Sequence, residues 1–159
     1  MPRPKLIFID LDGVILLGKE NGESYADPTC VALLNQLISA CDVLQVWVIS
    51  ERRNTTSNAD LFTLLEAAGV EHVTGIAPRH IPQSVAIARI VQHMGADSWV
   101  VIDDDATRYE QAPAVLEHLV LTTNRHGLTA SGVVRACAIL GVPSPVSVPE
   151  LQTCDDANL

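Results

Sequence analysis

The stretch that decides the fold is Phe8-Ile9-Asp10-Leu11-Asp12-Gly13-Val14, in which an apolar run ends at two carboxylates. The run Leu6 to Ile9 has the unbroken apolar character of a strand buried on both faces, which is typical of parallel sheets. Asp10 and Asp12 are two residues apart on an extended chain, so they project to the same side. Gly13 lets the backbone turn sharply just beyond them. The stretch therefore predicts a buried strand that ends in two neighbouring carboxylates.

Apolar runs alternate with helical periodicity along the rest of the chain. The alternation predicts an α/β fold, a Rossmann-like three-layer α/β/α sandwich with a mostly parallel sheet. The first helix should open at Asp27-Pro28 and carry an apolar stripe. That stripe comprises Val31, Leu34, Leu37 and Ile38. Further strands are predicted at residues 43–49, 72–76, 99–102 and 119–122, and further helices at 58–68, 82–94 and 129–140.

The segment between Asp12 and the first helix is about fifteen residues long, too short for a large cap domain. We expect an open site or a short flap containing Gly18 and Gly22. Residues 1–141 are predicted to form one domain, and 142–159 a proline-rich C-terminal tail.

Composition and charge limit the classes of function. The 159 residues are 48% hydrophobic and carry a formal net charge of −9, which disfavours general nucleic-acid binding. The four cysteines form no CxxC pair, and no signal-like segment or apolar run of about 18 residues is present. We therefore expect a cytoplasmic protein that does not cross a membrane. Homo-oligomerisation is left open.

Three further polar positions follow predicted strands. Ser50 comes directly after the second strand, and Asp103 and Asp104 come after the fourth. Because the carboxyl ends of parallel strands share one edge, these side chains should converge with Asp10. Several carboxylates in one cleft repel each other unless a cation intervenes, and oxygen ligands suit Mg²⁺. The sequence therefore predicts a magnesium site.

In this order, the motifs resemble those of the haloacid dehalogenase (HAD) superfamily. They are an Asp-x-Asp-Gly after the first strand, Ser50, a later basic residue and the acidic pair after a late strand. More narrowly, the chain resembles the HAD domain of Swiss Army Knife RNA repair proteins, on residues 8–15, 48–50, 101–105 and 127–129. One departure is Ser50-Glu51-Arg52-Arg53, where that group tends to have a Ser-Ser-x-Trp-Arg-like stretch.

The resemblance implies a Mg²⁺-dependent phosphatase. Asp10 would be the nucleophile that forms an aspartyl-phosphate, and Asp12 the general acid and base. Ser50 would hold a phosphoryl oxygen, and Arg79, or instead Arg52 or Arg53, would neutralise the phosphoryl charge. The metal would be held by Asp10, Asp12 through its carbonyl oxygen, Asp104 and Asp103.

Other interpretations remain open at this level. A phosphorylated substrate is expected, and an open site favours a large one: a phosphoprotein or a nucleic-acid end, the latter disfavoured by the net charge. A non-catalytic module that binds Mg²⁺ and phosphate on the same fold is the alternative function. A signalling receiver fits poorly, because its phosphorylated Asp would follow a middle strand, where this chain has Ser50. Singly, these residues are also common in turns and helix caps, and Arg52 and Arg53 could lie in a solvated loop.

Overall fold

The computed structural model describes residues 3–19, 21–42 and 44–148. Within these ranges there are seven strands and five helices; three strands precede the first helix, and helices and strands then alternate. The strands are β1 (Lys5–Ile9), β2 (Leu16–Gly18), β3 (Ser24–Ala26), β4 (Leu44–Val48), β5 (Gly75–Ile76), β6 (Ser98–Asp103) and β7 (Leu119–Leu121). The helices are α1 (Pro28–Ser39), α2 (Asn58–Ala68), α3 (Gln83–Met94), α4 (Pro113–Leu116) and α5 (Ala130–Leu140), and 3₁₀ turns form at Glu51–Asn54 and Ala106–Tyr109.

Five strands form the predicted parallel sheet, in the order β5-β4-β1-β6-β7. Alternate residues of β1 enter two separate cores: Ile7 and Ile9 pack with α1, α2 and α5, whereas Leu6 and Phe8 pack with α3 and α4. All four are at most 1% exposed. The three-layer α/β/α sandwich is therefore confirmed, and burial on both faces explains why β1 is an unbroken apolar run.

Helix ends follow the local signals in the sequence. The Asp27 carboxylate accepts a hydrogen bond from the Cys30 amide (3.0 Å), and Pro28 occupies the first turn of α1. Helix α2 ends at Ala68, and the next residue, Gly69, has a φ of 89°, in the left-handed region typical of helix ends. The predicted strand at 72–76 is shorter, only β5, and Val43 of the predicted 43–49 strand lies outside the described residues.

The expected flap is a two-stranded antiparallel hairpin formed by β2 and β3. Leu16 pairs with Ala26 and Gly18 with Ser24, and Gly22 lies at the turn with a φ of 86°. The sequence predicted the flap but not its strands. Within the described residues no large cap covers the sheet edge, in agreement with the expectation.

The first residues of the predicted tail, 142–148, have no regular secondary structure. Even so, Val142 and Val146 pack against the core on the α1 and α5 side. The remainder, 149–159, lies outside the described residues, so the boundary at 141 stays a prediction.

The longest helices, α1 and α3, have 12 residues each. No helix in the described part of the chain combines the length and hydropathy needed to cross a membrane.

Candidate active site

Three neighbouring strands bring their polar ends to one edge of the sheet. In the register, Ile9 of β1 lies opposite Val48 of β4 and Ile102 of β6. Asp10 and Asp103 therefore adjoin, and Ser50 follows two residues after Val48. The convergence expected from the sequence is present because β1 lies between β4 and β6.

A cluster of three carboxylates forms at this edge, from Asp10, Asp103 and Asp104. Each offers an oxygen, and these oxygens lie within 4.8 Å of one another. Asp10 and Asp103 are 2% and 0% exposed. Among the described residues, Oδ1 of Asp104 is buried without a hydrogen-bond partner. Three clustered carboxylates, two of them buried and one with an unpaired oxygen, fit a hard divalent cation such as Mg²⁺.

Gly13 shapes one wall of this cluster. Its φ is 81°, and a Cβ there would fall on the Asp104 carboxylate and 2.6 Å from the Asn124 side-chain oxygen. The Thr122 hydroxyl donates a 2.6 Å hydrogen bond to the Gly13 carbonyl and ties the turn to the end of β7. A residue with a side chain would therefore occupy the space in front of Asp104.

Burial dominates the electrostatics of Asp10. It raises the pKa of this carboxyl to about 8, with a further contribution from the Asp103 charge; Arg108 and the Leu11 amide oppose the shift. The Leu11 amide donates to Asp10 Oδ1 at 2.8 Å. A cation beside Asp10 would favour its ionised form, which is the form that can act as a nucleophile.

Asp103 is held in place by its own neighbours. The Tyr109 hydroxyl donates to Oδ2 (2.5 Å), and the Asp105 amide donates to Oδ1 (3.1 Å). Burial raises the pKa of Asp103 even though these hydrogen bonds oppose it. The Asp105 carboxylate instead accepts a hydrogen bond from the Thr107 amide and so caps the following 3₁₀ turn.

Asp12 points away from the carboxylate cluster and pairs with Arg52. The guanidinium donates to both carboxylate oxygens, from Nε at 2.7 Å and from Nη2 at 2.8 Å. Nη2 also approaches the Ser24 hydroxyl of the flap at 3.4 Å. The Asp12 carboxylate therefore lies in a partly exposed position outside the cluster of Asp10, Asp103 and Asp104, and the sequence had assigned only its carbonyl oxygen to the metal.

Ser50 is 1% exposed and begins the 3₁₀ turn 51–54. Its hydroxyl oxygen accepts a hydrogen bond from the Arg52 amide at 3.2 Å. This contact uses the hydroxyl oxygen as an acceptor and leaves the hydroxyl proton available to a further acceptor.

The two other candidate arginines are engaged elsewhere. Arg53 is 0% exposed, and its guanidinium donates to four backbone carbonyls: those of Ile49, Ser50, Pro78 and Ile81. It is thus neither a solvated loop residue nor free to bind substrate, since its donors satisfy buried carbonyls. Arg79 is exposed and donates to the Thr56 carbonyl (2.6 Å) and to Asn58 (3.3 Å) at the start of α2.

The cation at the cluster is Arg108, which the sequence reasoning missed. Its Nη1 lies 3.3 Å from Asp10 and 3.6 Å from Asp103, and its Nε lies 3.4 Å from Asp105. Burial disfavours its charge, but the Asp103 and Asp10 carboxylates outweigh this and raise its pKa. The only signal in the sequence was a basic residue one helical turn after the acidic run.

A recess of about 420 Å³ opens beside Asp12, between the flap and the loop after β7. Lys19 and Arg125 contribute cationic side chains to its lining, and Ser24 and Asn124 contribute polar ones. A second recess of about 300 Å³ lies on the other side of the flap, next to Arg52 and α2, and its lining is mainly apolar.

Solved structures with this arrangement of strands include the HAD domain of the effector protein Lem4 from Legionella pneumophila. The identity is 15% over 80% of this chain and 90% of that one, with a TM-score of 0.54. An inactive mutant of the same domain gives 13% identity over 80% and 89%, with a TM-score of 0.55. At such identities the likeness is one of fold. No curated protein matches the chain in sequence.

A family model described as the HAD domain in Swiss Army Knife RNA repair proteins matches residues 6–133. The match spans β1 through the first residues of α5, and it includes Asp10, Ser50 and the acidic run at 103–105. The parallel sheet, its strand-end carboxylates and this match agree with one another, and the chain belongs to that family of HAD domains.

Proposed function

We propose that this protein is a Mg²⁺-dependent phosphomonoester hydrolase of the HAD type, with Asp10 as nucleophile and Asp12 as general acid and base. The observation that carries the proposal is the buried cluster of Asp10, Asp103 and Asp104, with the unpaired Oδ1 of Asp104. The cluster lies at the carboxyl edge of the parallel sheet, where ligands bind in open α/β proteins, and this position supports the proposal.

The proposed reaction has two steps. A carboxylate oxygen of Asp10 attacks phosphorus, the bond from phosphorus to the leaving oxygen breaks, and Asp12 protonates that oxygen. Asp12, now ionised, takes a proton from a water molecule that attacks the aspartyl-phosphate. The bond from Asp10 to phosphorus then breaks, which releases inorganic phosphate and restores both carboxyl groups.

Side chains on the three neighbouring strand ends support the remaining roles. Asp10, Asp103 and Asp104 would hold Mg²⁺, together with the Asp12 carbonyl. The bound ion would offset repulsion between the carboxylates and the anionic substrate. The Ser50 hydroxyl retains a free proton to donate to a phosphoryl oxygen.

The position of the Asp12 side chain supports its role as a proton carrier, and only the Asp12 backbone carbonyl would contact the metal. Its side chain is 47% exposed and faces away from the cluster, toward Arg52. When substrate binds, the Asp12 carboxyl would have to turn from the Arg52 guanidinium toward the leaving oxygen, because both of its oxygens accept hydrogen bonds from Arg52 in this structure.

The substrate class we propose is a phosphate ester on a large or extended molecule. The flap hairpin is the one covering element seen over the described part of the site, so a bulky substrate has access. The description of the family names RNA repair, and the recess with Lys19 and Arg125 offers local positive charge despite the net charge of −9. Phosphorylated oligonucleotide ends therefore belong in the substrate panel.

The test is phosphate release from p-nitrophenyl phosphate, phosphorylated oligonucleotides, nucleotides and phosphopeptides, with and without Mg²⁺. We expect Mg²⁺-dependent turnover that Asp10→Asn abolishes and Asp12→Asn lowers by roughly 100-fold or more. Asp97→Asn is the matched control, because this exposed Asp pairs with Arg3, outside the proposed site. Wild-type turnover that survives excess EDTA would refute the proposal.

One observation favours the alternative, a module that binds Mg²⁺ and phosphate without turnover. Arg52 donates hydrogen bonds to both oxygens of Asp12, so the carboxyl that would act as general acid already has a partner in the structure. This alternative predicts thermal stabilisation by Mg²⁺ and inorganic phosphate together, with no phosphate released from any substrate in the panel.

A further inference from the structure

A phosphoryl group that approaches Asp10 brings negative charge to a cluster that already carries three carboxylates. The positive charge available to it is therefore decisive for binding and for the transition state. Among residues 3–19, 21–42 and 44–148, Arg108 is the lysine or arginine that forms ion pairs with Asp10 and Asp103.

The guanidinium of Arg108 retains free donors. Nη1 donates hydrogen bonds to Asp10 and Gln83, and Nε forms an ion pair with Asp105. Nη2 has no hydrogen-bond partner within the described residues, and the side chain is 29% exposed. Arg108 is thus fixed at one side and able to donate on the other, next to the nucleophile.

Gln83 fixes the position of this arginine. It is 3% exposed and is the first residue of α3. Its Nε2 donates to the Ile49 carbonyl at 2.6 Å, and its Oε1 accepts from Arg108 Nη1 at 3.1 Å. A buried amide with both ends satisfied holds one orientation, so Gln83 links the end of β4 to the guanidinium of Arg108.

The other arginines near the sheet edge have different partners. Arg53 donates hydrogen bonds to buried carbonyls, and Arg79 donates to the carbonyl of Thr56, just before α2. Arg52 donates to the carboxylate of Asp12. We infer that Arg108 is the cation that neutralises the phosphoryl oxygens beside Asp10, and that Gln83 is its positioning residue. This inference rests on the proposed function and names the residue that the sequence motifs leave unassigned.

The experiment compares Arg108→Ala, Arg108→Lys and Arg79→Ala in the full chain with Mg²⁺. It measures kcat and KM for p-nitrophenyl phosphate and the affinity for inorganic phosphate by calorimetry. We expect Arg108→Ala to lower kcat/KM by roughly 100-fold or more and to weaken phosphate binding. Arg108→Lys should recover part of the loss, because an ammonium supplies charge without the planar fork.

Arg89→Ala is the matched control, because this substitution removes the same charge from an exposed position on α3, outside the site. It should leave both measurements within about twofold of wild type. Equal kcat/KM and equal phosphate affinity in Arg108→Ala and wild type would overturn the inference. A larger loss in Arg79→Ala than in Arg108→Ala would also overturn it.

Gln83 is tested through its dependence on Arg108. Gln83→Leu should lower kcat by roughly tenfold in the wild-type background and have little further effect in the Arg108→Ala background. A purely structural role would give the same loss in both backgrounds and would overturn the positioning role. Thermal unfolding of each variant checks that the compared proteins are folded.

The two proposals fail in distinguishable ways. If wild type releases no phosphate from any substrate, hydrolysis is refuted, but weaker phosphate binding in Arg108→Ala still supports the arginine as the oxyanion contact. If wild type is active and Arg108→Ala is equally active, the inference alone is refuted.

Discussion

At the scale of single residues, the burial of Asp10 is the most consequential feature. A carboxyl with a pKa raised to about 8 is a poor nucleophile at neutral pH unless a cation stabilises its ionised form. Arg108 supplies part of that charge, and the orphaned oxygen of Asp104 indicates where a metal would supply the rest. Asp10 should therefore act as a nucleophile only together with a bound cation.

This burial predicts a pH-dependent cost in the metal-free protein. The pKa of Asp10 in the folded protein lies above its ordinary value of 3.8. The contribution of Asp10 to the free energy of unfolding is therefore most favourable below about pH 4 and is lost as the pH rises toward 8. Asp10→Asn mimics the neutral form. In EDTA at pH 8 we expect it to raise the free energy of unfolding by on the order of 1–3 kcal/mol relative to wild type.

Urea unfolding in EDTA at pH 4.5, 6 and 8 measures this difference. Each comparison is made between Asp10→Asn and wild type at the same pH, so that other titrating groups cancel. A difference that does not grow with pH would contradict the predicted burial cost.

Gly13 gives a second prediction at this scale. Gly13→Ala would place a methyl group on the Asp104 carboxylate and force a non-glycine residue to a φ of 81°. We expect Mg²⁺ affinity to fall by at least about tenfold, and stability to fall by about 1 kcal/mol or more. Calorimetric Mg²⁺ titration and urea unfolding measure the two effects.

Gly22→Ala is the matched control for that substitution. Gly22 has a similar φ of 86°, but a Cβ there meets nothing within 4 Å. It should show the backbone cost without the loss of Mg²⁺ affinity. Equal Mg²⁺ affinities in the two variants would mean that Gly13 does not shape the metal site.

At the scale of elements, capping side chains fix where α1, α2 and α5 begin. Helix α5 starts at the Thr129 hydroxyl, which accepts a hydrogen bond from the Gly132 amide at 3.1 Å. Thr129→Ala should cost about 1 kcal/mol of unfolding free energy, because the hydroxyl satisfies an amide that has no partner within the helix. Ser131→Ala on the exposed side of the same helix should be close to neutral. Urea unfolding separates the two, and an equal cost for both would refute the cap assignment.

At the scale of the whole molecule, a metal ion at the cluster would join the ends of β1 and β6. Binding to the folded state alone stabilises it by about 2.7 kcal/mol when the free ion is at 100 times its dissociation constant. We therefore expect millimolar Mg²⁺ to raise the Tm by several degrees, and Asp104→Asn to remove most of that shift. Differential scanning calorimetry measures it. A Tm that is insensitive to Mg²⁺ in wild type would count against a metal site.

Much of this architecture follows from local sequence signals. The helix predicted at 58–68 coincides with α2, because Ser57 caps its start and Gly69 ends it. The predicted convergence of Asp10, Ser50 and Asp103 holds because parallel strands share a carboxyl edge. The strands of the flap were missed, since three-residue strands carry too little periodicity to be recognised.

The sequence by itself determined the α/β class, the buried central strand and the edge at which the carboxylates meet. Only the tertiary structure decided which arginine contacts Asp10: Arg53 donates to buried carbonyls, Arg52 pairs with Asp12, and Arg108 pairs with Asp10. The physical reason is that hydrophobic periodicity and helix caps act over a few residues. The orientation of a long charged side chain such as Arg108 is instead set by partners far away in sequence, here Gln83.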